Sequence, residues 1–459
     1  MVRVIPGVEI NVVKEIVPQQ LYPAGVVGMI GTANEGPVGT SVTVTSYREF
    51  LEYFGPEETG FTLHKEVKKA FLNGVFQVVA SRVGGNNSYP ASAVLKSSNS
   101  KKKESMKLVA RELGERGNKI QVKVMRGATE NTVRLEISAK NYLPEEYENL
   151  SMLKDNDFYI EKILNENSRI VTAQLLNEPS LENIPIPQEV SLSGGQMGPP
   201  SIADYEQALE QLELEENIDV VYVTDNWDPE IHALVDAHCQ NMSIGKEPKP
   251  LGPRIGIGTV APNELVNDII KRTTRLASDR FILVAPYGLA GGVAGLISKL
   301  SYYESPTFKP LTGVSSLERR FTPSEQMKLL TNGILPIDSV RGRGIILVKG
   351  ITTSKEQISV MRIADRSVRG VKNVSDLFIG TLNNERGRLA LKERITEFLI
   401  GMEREGSIVP TTDGSQPAFI VDVYSSQSDF AQGIVRTDIA VRPVRAMDYI
   451  YATVNVKAY

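Results

Sequence analysis

Residues 254–285 read RIGIGTVAPNELVNDIIKRTTRLASDRFILVA. Arg254–Val260 is a short apolar run, the pattern of a strand buried on both faces. Pro262–Leu276 has helical spacing, with Pro262 suited to a first turn, where its missing N–H costs nothing. Phe281–Ala285 is a second unbroken apolar run. Strand, helix and strand in succession are the repeating unit of a parallel sheet with crossovers. Upstream, Ile218–Thr224 predicts a strand and Pro229–Met242 a helix. Further out, Val26–Gly31 predicts a buried strand, Thr45–Phe54 a short helix opened by Ser46, and Leu63–Asn73 a helix closed by Gly74. Val75–Val83 predicts another strand.

The Gly/Asn/Ser cluster Gly84–Ser88 is a loop signal. Beyond it, short β-leaning runs (Ile120–Met125, Thr132–Ile137) alternate with polar stretches such as Lys101–Glu104 and Asp155–Asp157. Leu192–Pro200 punctuates again, and Ser201 opens a helix whose Ile202, Tyr205, Ala208, Leu209 and Leu212 share a face. After about residue 335, Gly344–Lys349 and Phe419–Tyr424 read as strands, and Gln357–Asp376 and Arg386–Arg404 as long helices. The expected fold class is α/β (α+β) and multidomain. A core α/β domain (22–85 and 200–335) carries a β-rich insertion (86–199), followed by a C-terminal α/β domain (336–435). Extended arms are expected at 1–21 and 436–459.

The two ends carry period-2 patterns. Val2, Val4, Val8, Ile10 and Val12 alternate with polar or small residues, interrupted by Pro6-Gly7. Ile450, Ala452, Val454 and Val456 fall on one face, with Tyr449, Tyr451, Thr453, Asn455 and Lys457 on the other. Strands so near the termini either join their own sheet at long range or leave the subunit.

Composition bounds the function. Across 459 residues, 51 Lys and Arg face 55 Asp and Glu, so no basic surplus points to a polyanion partner. A chain that is 41% apolar and 23% charged can bury a core. One cysteine, Cys239, makes an intrachain disulfide impossible, and three histidines leave few soft ligands for zinc. Pro6, Glu9 and Lys14 interrupt any signal-peptide core, so synthesis and folding in a cytoplasm are expected. Phe281–Pro286 and Leu289–Leu300 are shorter than the roughly 20 residues that span a bilayer.

Chemical motifs are weak. Gly25, Gly28 and Gly31 lie inside an apparent strand with no helix opening on them, which suits tight packing better than a phosphate-binding loop. Gly194–Gly198 lacks the Lys-Ser/Thr ending of a P-loop. His232, Asp236 and Cys239 share one helix face near His238 and admit a metal reading, without partner ligands at telling spacing elsewhere. The expectation is therefore no catalytic residue, no cofactor and no metal. Charge is more informative: residues 341–372 are net +6, through Arg341, Arg343, Lys349, Lys355, Arg362, Arg366, Arg369 and Lys372 against Glu356 and Asp365. Residues 204–216 carry six acids and no base. These are either solvated faces or complementary docking patches.

Together these pieces resemble the contractile tail sheath family of contractile-tailed phages, R-type pyocins and extracellular contractile injection systems. Val4-Ile-Pro-Gly-Val-Glu-Ile10 resembles its opening P-G-V-Y-V-x-E, with Glu9 where an aromatic is common. Residues 25–38, with Val44–Phe50 and Phe54-Gly55, resemble its first core block. Leu192–Gly198 resembles its L-x-G-G-x-D-G stretch, with Gln196-Met197 replacing the usual Thr-Asp. Residues 434–455 resemble its C-terminal block. The resemblance implies a structural subunit, not an enzyme, in a virion tail or extracellular particle. It implies arms donated to neighbouring copies through Val4, Val8, Ile10, Val12, Ile450, Ala452, Val454 and Val456, in hexameric rings stacked as a six-start helix. It also implies an inner tube, baseplate and tail terminator proteins as partners, without direct nucleic-acid binding or membrane insertion. Arg362, Arg366, Arg369, Arg386, Arg388 and Lys392, with Arg394 nearby, are the expected tube-facing basic residues. The alternatives are a tube or shell that does not contract, or a cytoplasmic α/β nucleotide-binding enzyme.

Overall fold

The computed structural model describes residues 25–451, except 86, 100–103, 140, 141, 216 and 245–250. The arm positions Val4, Val8, Ile10, Val12, Ala452, Val454 and Val456 lie outside the described residues. Contacts divide the chain into a larger unit, Ala24–Leu300 with Pro306–Glu356, and a smaller one that includes Ser301–Ser305 and Gln357 onward.

The larger unit opens with β1 (Val26–Gly31), β2 (Ser41–Val44), α1 (Tyr47–Phe54), α2 (Leu63–Leu72) and β3 (Gln77–Arg82). The Ser46 hydroxyl caps α1 by accepting from the Glu49 amide, as the sequence predicts. β1 pairs in parallel with β3, and every β1 residue is buried. The chain then enters a β-rich excursion: β4 (Pro90–Lys96), β5 (Glu104–Leu113), β6 (Gln121–Arg126), β7 (Val133–Ser138), β8 (Glu145–Leu150), α3 (Ile160–Asn167), β9 (Val171–Leu175) and β10 (Gln188–Ser191). These strands form two small sheets, ordered β4-β5-β9 and β10-β6-β7-β8, around their own core of Leu108, Val122, Leu135, Ile160 and Val171 among others.

The main sheet resumes after α4 (Ile202–Gln211) with β11 (Val220–Val223), α5 (Pro229–Ile244), β12 (Ile255–Thr259), α6 (Val266–Thr273), β13 (Phe281–Ala285), α7 (Ala290–Lys299), α8 (Pro323–Thr331), β14 (Ile334–Val340) and β15 (Gly344–Leu347). Its order is β15-β14-β13-β12-β11-β1-β3-β2. The six inner strands run parallel, and β2 and β15 close the edges antiparallel. Both faces are covered, which explains the unbroken apolar runs. On one face, Val26 and Ile30 join Leu209, Val235, Cys239, Ile269 and Leu329 from α4, α5, α6 and α8. On the other, α2 and α7 cross closely.

Two local differences from the sequence reading have physical causes. The helix expected from Pro262 starts at Val266, because Asn263 takes φ 54° and the Glu264 carboxylate accepts from the Ala261 amide at 2.7 Å, making a turn. The expected limit at 335/336 falls inside β14, which continues the main sheet, and the Gly344–Lys349 strand hairpins back onto it. The apolar run Leu289–Leu300 forms α7, and among the described residues no helix is long and apolar enough to cross a membrane.

The smaller unit contains α9 (Ile358–Asp376), α10 (Glu385–Arg404), β16 (Phe419–Tyr424), α11 (Gln427–Ala431) and β17 (Arg436–Val441). Ile363, Val374, Leu391, Ile395, Leu399 and Met402 form its core, with Val421, Val423 and Ile439 of the sheet packed on them. Gly370 admits the Phe398 ring, which lies 1.9 Å from where a Cβ would stand. β17 occupies the first residues of the expected C-terminal arm and pairs antiparallel with β16, Ile420 opposite Ala440 and Asp422 opposite Asp438.

Candidate assembly surface

β16 and β17 form a two-stranded sheet that gains no third full strand among the described residues. Only an isolated bridge, Ile408 with Pro443, continues the pairing past β17. One face carries Phe419, Val421 and Val423 toward the helices; the other leaves Ile420 59% and Tyr424 40% exposed. Unpaired strand edges are templates for another strand. The start of β17 is fastened by a bidentate pair: Arg436 Nε and Nη2 each donate to an Asp429 oxygen at 2.9 Å. The Arg436 guanidinium and the Ser426 hydroxyl hold the Asp429 carboxyl far below its ordinary range.

Past β17 the chain is anchored once more. The Gln357 amide, at the N-terminus of α9, donates to Asp448 Oδ2 at 2.7 Å and to the Ala446 carbonyl at 3.1 Å. Its Oε1 accepts from the Ala446 amide at 2.9 Å. Beside and beyond this clamp, Met447, Tyr449, Ile450 and Tyr451 are 70–95% exposed. Ile450 is thus the one expected arm residue inside the described chain, and it is presented to solvent outside any strand. Gln357 was not legible as a functional residue. Glutamine is not among the residues preferred at a helix N-cap, and its work is done on a segment about ninety residues away.

The basic candidates separate. Arg362 is buried and donates to the Ser301 carbonyl at 3.1 Å, so it is an internal residue of the smaller unit, not one presented on its surface. Arg366 stacks over the Tyr302 ring at 5.4 Å, and Arg369 is half-buried. Arg386 is exposed; Arg388 Nη1 donates to Asn383 Oδ1 at 2.9 Å; Lys392 lies 3.6 Å from Asp422 of β16. Helical spacing alone could not sort these, because α9 buries charged as well as apolar residues.

The four residues of the metal reading are all buried on α5 but turn to different partners. His232 Nε2 donates to the Asn226 carbonyl at 3.1 Å. Asp236 accepts from Ser278 at 2.5 Å and from Gln240 at 2.8 Å. His238 Nε2 accepts from Arg254 at 3.3 Å. Among the described residues, no three His, Cys, Asp or Glu side chains converge on a common point. Gly28 and Gly31 are packing glycines: a Cβ at Gly28 would stand 2.9 Å from Leu212, and one at Gly31 would stand 1.9 Å from the Thr224 hydroxyl.

His232 makes a testable contribution to acid sensitivity. Burial pulls its imidazole down to about 4, with Arg272 adding to the effect and the Asn226 bond and Asp228 opposing it. The unfolded chain protonates near 6.5 while the folded one resists, so stability falls as pH drops from about 6.5 to about 4, by about 3 kcal/mol in all. Urea unfolding of the wild type and of His232→Gln, whose amide can still reach the Asn226 carbonyl, should show a shallower acid decline for the variant. Equal slopes would remove His232 from the account.

A doubly covered parallel sheet bearing a β-rich excursion, with a second unit built on two long helices and an open two-stranded sheet, defines a mixed α/β protein of several sheets. Residues 198–353 match the family model described as the phage tail sheath protein central domain. The tail sheath protein of Staphylococcus phage Twort is 29% identical over 373 residues, covering 75% of this chain. The chain spans only 60% of that relative's length. In fold, the chain is similar to a sheath tail protein from Listeria innocua, at 16% identity and a TM-score of 0.69, covering 93% of this chain and 94% of the other. It is also similar to the helical sheath of the anti-feeding prophage in its contracted state, at 12% identity and a TM-score of 0.59, with 99% of each chain covered. Each of these relatives is named as a sheath protein or a sheath.

Proposed function

We propose that the chain polymerises by strand exchange into a contractile sheath around an inner tube, and that shortening of this sheath drives the tube through a target envelope. The observation that carries the reading is the Gln357 clamp. It holds Ala446 and Asp448, the chain past it is exposed at Tyr449–Tyr451, and β16 and β17 form a sheet with no third full strand among the described residues. An alternating segment beyond such an anchor suits donation to the corresponding sheet of a second copy. The similarity to a helical sheath solved in its contracted state supports the assembly part of the reading.

On this proposal the copies form hexameric rings in a six-start helix, assembled in a producer cytoplasm and ending in a virion tail or extracellular particle. Baseplate and tail terminator proteins bound its two ends. Arg386, Arg388 and Lys392 of α10, with Arg366 and Arg369 of α9, are the candidates for a polar, releasable grip on the tube. Screened charge pairs are weak singly, yet they repeat at every subunit. Electron microscopy of the polymerised chain should show two sheath diameters, extended and contracted. One invariant diameter would favour a tube that does not contract, and a particle of monomer size would end the assembly reading. High salt should part sheath from tube before it dissolves the sheath.

A further inference from the structure

The main sheet contains a reversal of direction. From β1 the chain moves to β3 on one side, whereas β11, β12, β13 and β14 build outward on the other. In open parallel sheets a crevice forms outside the carboxyl ends of the strands at such a reversal, and ligands bind there. Here a cleft of about 670 Å³ stands at that place. Its walls come from the α1–α2 loop (Glu57, Glu58), the first turn of α2 (Lys65), the segment after β11 (Asp225, Trp227) and the residue two beyond β13 (Tyr287). Nothing in the sheath reading uses it, and the inference does not rest on that reading.

The chemistry of the walls selects the charge of an occupant. Three carboxylates, from Glu57, Glu58 and Asp225, line the cleft with one lysine. Asp225 is held at φ 50° and its side chain is 11% exposed, with Oδ1 buried and without a hydrogen-bond partner. Trp227 and Tyr287 meet edge to face at 5.7 Å. Burial and the Asp225 charge push the Tyr287 phenol well above its usual range, so it stays neutral. Aromatic faces beside carboxylates attract cations. Lys65 already follows this rule, its Nζ 5.5 Å from the Tyr287 ring centre and 3.5 Å from Asp225. An anion is disfavoured even though α2 begins here. The Thr62 hydroxyl is engaged by Thr224 at 2.7 Å, the Thr62 and Leu63 amides donate to the Thr32 carbonyl, and Glu57 and Glu58 stand in front.

We propose that this cleft binds a guanidinium or primary ammonium group, seated among Trp227, Tyr287 and the carboxylates of Asp225 and Glu58. The group has two possible sources: a free small cation, or a basic side chain of a second copy of the chain.

Trp227 is the only tryptophan, so its fluorescence reports on the cleft alone. Titrating the full chain with N-acetyl-arginine amide at constant ionic strength should change its emission saturably. N-acetyl-citrulline amide, a neutral molecule of the same shape, should not. Asp225→Asn keeps a residue that tolerates positive φ and should weaken binding about tenfold or more. Glu58→Gln, on an exposed loop, provides a second variant if Asp225→Asn fails to fold, and should weaken it by a smaller factor. Absence of saturation, an equal response to the citrulline amide, or full affinity in both variants would overturn the proposal. Polymerised chain then assigns the source. Trp227 emission already shifted, and unresponsive to the arginine amide, identifies a second copy's side chain. An unchanged response identifies a free cation.

Discussion

Removing residues 449–459 should leave a folded, soluble monomer that no longer builds long polymers. The cut falls just past the Gln357–Asp448 bond, so the clamp survives, and the residues lost inside the described chain, Tyr449–Tyr451, are 70–95% exposed. Both cores are built from residues well upstream. On the strand-exchange proposal the deleted segment makes its contacts in a neighbouring copy, so the thermal midpoint of the monomer should stay close to that of the full chain. Between copies the loss is large, since each donated strand would carry a ladder of backbone hydrogen bonds and one buried face. Sedimentation and electron microscopy of the truncated chain read this directly. Full-length sheaths from it would refute strand exchange at this end. Val454→Asp is the milder form: if the segment is donated as its alternation predicts, the change puts a carboxylate on the strand's apolar face, where an uncompensated buried charge costs several kcal/mol per contact.

Much of this architecture is legible in the amino-acid order because the inner strands are buried on both faces. Runs such as Val26–Gly31 and Phe281–Ala285 admit few other readings, and local caps such as Ser46 mark where helices begin. What escaped depends on contacts distant in sequence. β17 looks like part of an arm because its alternation is the same whether its partner is β16 or a strand of another copy. The burial of Arg362 follows from a carbonyl at Ser301, about sixty residues earlier. The reversal between β1 and β11 is a property of strand order, which periodicity does not encode, so the cleft beside Asp225 appears only once the sheet is assembled. The glycine pattern of β1 was visible; its purpose, close approach of Leu212 and Thr224, was not separable from a phosphate loop without the helix that such a loop requires.

Glycines also provide the sharpest test of packing, because one substitution should carry opposite signs at two helical positions. Replacing glycine by alanine in a helix gains about 1 kcal/mol from backbone entropy when the added methyl meets nothing. Gly401 of α10 is such a place, with no atom within 4 Å of the new Cβ, and Gly401→Ala should stabilise the smaller unit by roughly that amount. Gly295 of α7 is the reverse. There a Cβ would stand 2.3 Å from the Ala70 carbonyl oxygen and 2.7 Å from the Ala70 Cα, both backbone atoms of α2 that cannot rotate away. Gly291, one turn earlier, meets Glu66 of α2 in the same manner, so the two glycines form a groove that seats one helix on the other. Widening that groove must lift α2 or α7 from the main sheet. It would also disturb Glu66, whose fully buried carboxylate accepts from the Gly291 amide at 2.9 Å and from Lys69 at 2.5 Å. Overpacking of this kind costs about 1–3 kcal/mol and more where backbone blocks backbone, well beyond the helix-propensity gain. Gly295→Ala should therefore lower the unfolding midpoint of the larger unit while Gly401→Ala raises that of the smaller. If denaturant unfolding shows Gly295→Ala to be neutral or stabilising, α2 and α7 do not approach as closely as this geometry requires.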